Sequence, residues 1–406
     1  MDTKFVKMDI LNVHQKILDD KSIIGYNYHH YKPYSPNEIG RSDEIRIPIQ
    51  CSDLFLHLAE GYIYVSRVLN THTETGVKTV KNYPFYLFEE CRLEISGHCI
   101  DSVKDLGVVA NIKNLLLKSV CESKSSTSLG WFPSDNILKN NAKFDFCLPL
   151  KEIFGFCADY TKIVAFVTPE IVLKRSRTDA NCFFSETNAE TVAITLKNVY
   201  LSVPHVELAP VPRLKFLKIL ENGRPLEMNF RSHKLFVHPK VPKTTQFFWQ
   251  VQSLALSNRP IFVILAFSDG RADNLKKDFT HFDSTKIRNL KLHLNSQSIP
   301  YEQQLFDFAE NKISEAYKSF SDFRKFYLGR DTDETALSVD NFVKNYPLFV
   351  FNCMFVEPVL KAGSIDVRLE CEFHENITSE NCTAFCLIVT EQSILYNPLT
   401  HIVESN

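Results

Sequence analysis

Thirteen histidines and eleven cysteines are the side chains of this 406-residue chain best suited to bind a metal or act as nucleophiles. The densest histidine feature, His29-His30, lies in a polar stretch rich in tyrosine and offers no further ligand nearby, so it reads as an exposed spacer. His72 and Glu74 stand in a Thr-rich run, T-H-T-E-T, with two residue types found in metal-binding sandwiches. The remaining ligands and the Gly-rich hairpin of such a site are missing, so the run reads as a loop. Cysteines fall at 51, 91, 99, 121, 147, 157, 182, 353, 371, 382 and 386, an odd count without a C-x-x-C pair. That pattern indicates neither a disulfide framework nor a zinc site. Cys382 and Cys386 would share one face of a strand at roughly 13 Å separation, too far to clamp one metal, and are expected to be buried as small hydrophobes.

Lys174-Arg175-Ser176-Arg177 is the most basic run, with Lys139, Lys143 and Lys151 as candidates to join it in a phosphate-binding patch. Aromatic residues do not interleave with these bases as a single-strand groove requires, so a solvated loop is expected. The signatures G-x-S-x-G, H-E-x-x-H, G-x-x-x-x-G-K-[ST] and G-x-G-x-x-G do not occur in the sequence, which weakens hydrolase, metalloprotease and nucleotide-binding readings. The expectation is a protein that is not an enzyme, with no catalytic, cofactor-binding or metal residue and no cofactor. Asn376-Ile377-Thr378 and Asn381-Cys382-Thr383 fit the glycosylation acceptor pattern. Met1 to Leu11 lacks the apolar stretch of a secretory signal, so both read as coincidence, in a chain kept in a reducing compartment.

The elements that would position any site are strands. Phe occurs 32 times and Gly only 12 times; aromatics favour strands, and few glycines argue against Gly-rich phosphate loops. Apolar residues make up 44% of the chain and charged residues 23%, an ordinary globular composition. The 46 basic and 48 acidic residues leave a net charge of −2, far from the basic surface of a phosphate-coating protein. No run of 18 apolar residues occurs, so no membrane span is expected.

The chain repeats itself. Arg92 to Ile100 and Lys291 to Ile299 are both alternating strands ending in a polar turn and restarting at Ile, at an offset of 291 − 92 = 199 residues. The same shift carries Ile63-Tyr64-Val65 onto Phe262-Val263-Ile264. Phe144 to Phe156 answers to Leu348 to Val359, and Val192 to Leu201 to Ala384 to Leu395. Strand alternation runs over 44–49, 62–69, 91–95, 144–149, 162–168 and 192–203, then over 227–237, 246–251, 261–267, 288–294, 347–356, 364–373 and 383–396. Such spacing suits two-sheet sandwiches rather than a parallel α/β sheet. Helical spacing over Asp101 to Ser119 and Gln303 to Phe320 predicts a helix at matching places in each half. The expected organisation is an N-terminal arm (1–40), a first lobe (41–205), a connector (206–222) holding a short helix over Leu214 to Leu220, and a second lobe (223–406).

The same segments carry a family resemblance. Y-K-P-Y-S-P, E-I-R-I-P-I-Q and L-H-L-A-E-G-Y-I-Y-V-S-R, within Asn27 to Arg67, resemble the opening of major capsid proteins of the Polinton/Maverick (adintovirus-like) type. Leu93 to Ile100, Pro169 to Phe184, Leu290 to Pro300, and Gly363 to Glu372 with Ala384 to Tyr396 resemble later segments of that family in order. The resemblance spans residues 27–400 and implies an all-β fold of two tandem eight-stranded jelly rolls (a double jelly roll) with a few short helices in connecting loops. It further implies a structural major capsid subunit that forms a homotrimer, a pseudo-hexameric capsomer that tiles an icosahedral shell by self-assembly. The implied partners are copies of itself and a minor capsid or penton protein, without a specific nucleic-acid site, and the implied location is the virion, after assembly inside the host cell. The alternative is a non-enzymatic double β-sandwich that binds a carbohydrate or protein ligand as a monomer.

Overall fold

A computed structural model describes residues 22–34, 38–50, 55–71, 77–130, 143–185, 192–221, 225–255, 259–330, 335–355, 364–398 and 400–405. Each half contributes eight principal strands to two antiparallel sheets. In the first lobe, Ile23–Tyr31 pairs with Val192–Leu208, which pairs with Tyr62–Thr71, which pairs with Lys143–Pro149. The facing sheet runs Glu44–Pro48, Pro169–Arg175, Phe88–Ile95, His98–Lys104. Numbered along the chain, these orders are first-eighth-third-sixth and second-seventh-fourth-fifth.

The second lobe repeats both orders. Leu226–His238, Cys382–Asn397, Pro260–Asp269 and Phe349–Asn352 form one sheet. Gln246–Ala255, Ser364–Phe373, Ile287–Leu294 and Gln297–Ile299 form the other. Two hydrogen bonds fix the correspondence: Leu150 N–H donates to the Gly61 carbonyl at 2.9 Å, and Cys353 N–H to the Ile261 carbonyl at 2.8 Å. Gly61 and Ile261 are therefore equivalent, an offset of 261 − 61 = 200. The 199-residue shift holds at the hairpins, where Ile95 faces His98 and Leu294 faces Gln297. It is one residue short in the third strand, and a one-residue slip exchanges the two faces of a strand.

The segment expected as an arm contains the first strand of the first lobe: Ile23–Tyr31 pairs along Val192–Leu208 from Leu208 to Leu201. Two helix expectations shift as well. Asp101 to Lys104 are strand and the helix is Leu106–Leu117; residues 303–313 are not helical and the second helix is Ser314–Leu328. The connector helix is Pro210–Glu221.

One continuous apolar cluster runs from Ile39 in the first lobe to Tyr396 in the second. Phe85, Phe88, Phe156, Phe262, Phe267, Phe282 and Phe320 are among its largest fully buried members, and they absorb much of the Phe surplus. A core continuous across two lobes makes them one body rather than two beads on a linker.

Candidate assembly surfaces

The side chains singled out for chemistry do not converge. His29 and His30 lie side by side on an exposed strand rather than in a spacer, and their rings turn to different partners: His29 stacks on His205 at 4.0 Å, and His30 meets Tyr200 at a tilt at 4.7 Å. His72, Glu74 and Lys139 lie outside the described residues. The basic run is split rather than forming a solvated loop. Lys174 and Arg175 close the strand Pro169–Arg175, Lys174 pairing with Glu89 at 3.3 Å and Arg175 wholly buried; Ser176 donates to the Tyr86 carbonyl at 2.7 Å; only Arg177 is largely exposed. Lys143 lies on another strand, and Lys151 pairs with Glu60 at 3.6 Å. Arg175 is held between the Leu87 carbonyl at 2.7 Å and Asp179, and Asp179 also accepts the Ile194 N–H at 3.0 Å. A basic residue in this sequence run thus works as an internal brace. Cys382 and Cys386 are buried free thiols whose pKa is raised by burial, that of Cys382 to about 12.

The built polar structure lies where the lobes meet. Gly155 opens a short helix, Gly155–Asp159, that lies against the strand Leu226–His238. A Cβ on Gly155 would stand 1.7 Å from the Arg231 carbonyl oxygen, so only glycine permits this approach. Asp159 accepts the Arg231 backbone N–H and its Nε–H, both at 2.8 Å, while the Arg231 guanidinium lies 3.7 Å over the Tyr327 ring. Asp101 accepts the Phe156 N–H at 3.1 Å and the Ser232 hydroxyl at 3.3 Å. Burial pushes the Asp101 carboxyl up to about 6 against the pull of those donors and of Lys113. Lys113 is itself buried, lowered by desolvation, and donates to the Lys151 and Glu152 carbonyls at 3.1 and 3.0 Å. His233 is held well below its ordinary pKa by burial, then by Lys113 and Arg231, and its ring meets the Tyr327 hydroxyl at 3.3 Å. Asn111 adds a donor to the Thr280 carbonyl at 2.8 Å, and Arg324 pairs with Glu122 at 3.0 Å. Sequence reading missed these residues because each partner lies far along the chain, as Asp159 does from Arg231.

The cleft of about 510 Å³ beside this seam includes Glu89, Arg271 and Asn381 in its lining. Arg271 and Glu89 are already engaged, Arg271 with Asp283 at 2.6 Å and Glu89 with Lys174 at 3.3 Å. The first lobe presents a different surface, an open sheet face of stacked tyrosines. Tyr64 and Tyr200 stack at 4.7 Å, Tyr28 and Tyr62 approach at 5.9 Å, and Tyr26 meets Tyr28 at 6.1 Å. No helix among the described residues is long and apolar enough to cross a membrane.

Two lobes with one strand order, locked into a single body by built polar contacts, define a tandem β-sandwich. A double jelly roll-like domain matches residues 77–394, more than half the chain, and the protein belongs to that family. Its fold is shared with the PBCV-1 capsid protein VP54 fitted into the virophage Sputnik (TM-score 0.61, 12% identity, 96% of this chain and 98% of that one). It is also shared with the Faustovirus major capsid protein (TM-score 0.61, 11% identity, 95% and 92%). The mavirus major capsid protein aligns at TM-score 0.53 with 12% identity, over 93% and 90%. No curated protein matches the chain in sequence.

Proposed function

We propose that this chain is a structural, non-enzymatic viral major capsid protein of the Polinton/Maverick type, three copies of which form a pseudo-hexameric capsomer that tiles an icosahedral shell. The observation that carries this reading is the near end-to-end coverage of viral capsid proteins by a chain whose two like lobes are locked as one body. Three rigid two-lobed bodies about a three-fold axis offer six similar lobes, so closed symmetry can fill a six-fold position. The ordered segments from Asn27 to Tyr396 support the lineage. The proposed division is a first jelly roll ending near 205, a connector over 206–222 and a second jelly roll from 223; the virion is the proposed location, with a minor capsid protein as further partner. The test is the mass of the purified chain by light scattering, with electron microscopy of the same sample. Three times the 46.8 kDa chain mass, with hexagonal capsomers or shells, is expected; a monomer at all concentrations overturns the reading.

A further inference from the structure

The first strand of the first lobe is fastened mainly by rings. Among the described residues, Ile23–Tyr31 forms a backbone ladder with Val192–Leu208 alone, and most of its side chains stand in water. Five ring pairs tie it to the body of the lobe. Tyr31 Oη lies 2.6 Å from His205 Nε2, and His29 stacks on His205 at 4.0 Å. Tyr26 Oη lies 3.0 Å from His57 Nδ1, His30 meets Tyr200 at 4.7 Å, and Tyr28 meets Tyr62 at 5.9 Å. Four of the five pairs contain an imidazole, the side chain whose unperturbed charge changes between about pH 5 and 8.

His205 is the centre of this fastening. It belongs to the eighth strand and is 5% exposed, with Tyr31 and His29 of the first strand against it. Desolvation, and then repulsion from His29, hold its pKa below the ordinary 6.5. The other titratable groups along the strand lie toward its start. His57 meets Tyr26, Glu60 acts on Tyr26 from the turn Leu58–Glu60, and the Glu207 side chain lies against Gly25. Lifting the strand takes Tyr31 and His29 away from His205 and opens its ring to water. The lifted state therefore binds a proton more tightly than the seated one, and acid favours lifting. Because the seated value is the lower one, this group's contribution to holding the strand is complete above 6.5 and is lost as pH falls through that lowered value.

We propose that Ile23–Tyr31 is an acid-released strap, with the His29–His205 stack as its proton-sensitive catch. The device lies within one chain and does not depend on the capsid reading. The test is hydrogen exchange of the full chain from about pH 7.5 to about pH 5. Exchange is expressed as protection factors, which remove the intrinsic pH dependence of amide exchange. The reference is Gln246–Ala255, an edge strand of the second lobe without histidine. One proton taken up on lifting gives a fall in protection over 23–31 of up to about tenfold per pH unit below 6.5, with the reference unchanged. His205→Gln, which keeps a polar group beside Tyr31 but cannot charge, is expected to flatten the profile. His29→Gln is expected to make it shallower. Wild-type protection over 23–31 that stays constant, that falls no more than the reference, or that falls equally in His205→Gln overturns the strap. Should His205→Gln lose its circular-dichroism melt, the wild-type contrast with the reference and the His29→Gln profile decide.

Discussion

Arg175 and Asp179 have side chains fully withdrawn from water. Removing one partner from such a pair leaves the other charge uncompensated, at a cost of about 3–5 kcal/mol. Arg175→Met is therefore expected to lower the unfolding free energy by that amount in urea titration, and Arg175→Met with Asp179→Asn to recover part of it. Asp101 gives a pH signature. Its ordinary value of 3.8 applies to the unfolded chain and about 6 to the native one. Between these values the native state holds a proton that the unfolded state has released, so this group's contribution to stability falls as pH rises from about 4 to about 6 and stays lost above. Asp101→Asn removes the slope: a gain of about 2 kcal/mol is expected at pH 7.5 and almost none near pH 4, with Lys113 offsetting some of it. Parallel urea titrations at the two pH values check this, and an equal effect at both would contradict it.

The short helix Gly155–Asp159 couples the lobes through an approach that no other residue type permits. Gly155→Ala must push the helix off Leu226–His238, and forced overpacking of this kind costs about 1–3 kcal/mol. Calorimetry is expected to resolve two transitions in the variant where wild type gives one. An unchanged single transition would mean that the seam does not depend on this contact. How far such elements could be read from sequence depended on whether one face was wet. Where it was, alternation announced the strand, as at Arg92 to Ile95 and Lys291 to Leu294. Ile23–Tyr31 escaped notice because both of its faces are largely open, so Y-N-Y-H-H-Y carries no period. Asp101 to Lys104, the end of the strand His98–Lys104, read as helix because Val103 continues the spacing of Leu106 and Val109, although Val103 is buried in a strand. The third-strand repeat slipped by one residue because Phe262, Val263 and Ile264 are all buried, leaving no polar residue to mark the face. The seam was illegible for a different reason: a lone Asp159 or Gly155 has no signal until the fold brings Arg231 to it.

For the whole molecule, charge decides what kind of assembly is physically available. A coat that condenses on nucleic acid gains its affinity by releasing counterions, and its binding collapses as salt rises. This chain carries 46 basic against 48 acidic residues, and the one run that could have made a phosphate patch is dispersed between the core and the Glu89 pairs. The proposed assembly would then draw on apolar and aromatic area, whose contribution is nearly insensitive to screening. The expected outcome is that the mass of the assembled protein stays constant between about 50 and 500 mM sodium chloride, changes little on adding duplex DNA, and falls on cooling, as hydrophobic association weakens at low temperature. Light scattering at each salt and temperature measures all three. Dissociation at high salt, or oligomers that appear only with DNA, would place the driving force on phosphate contacts and against self-complementary lobes.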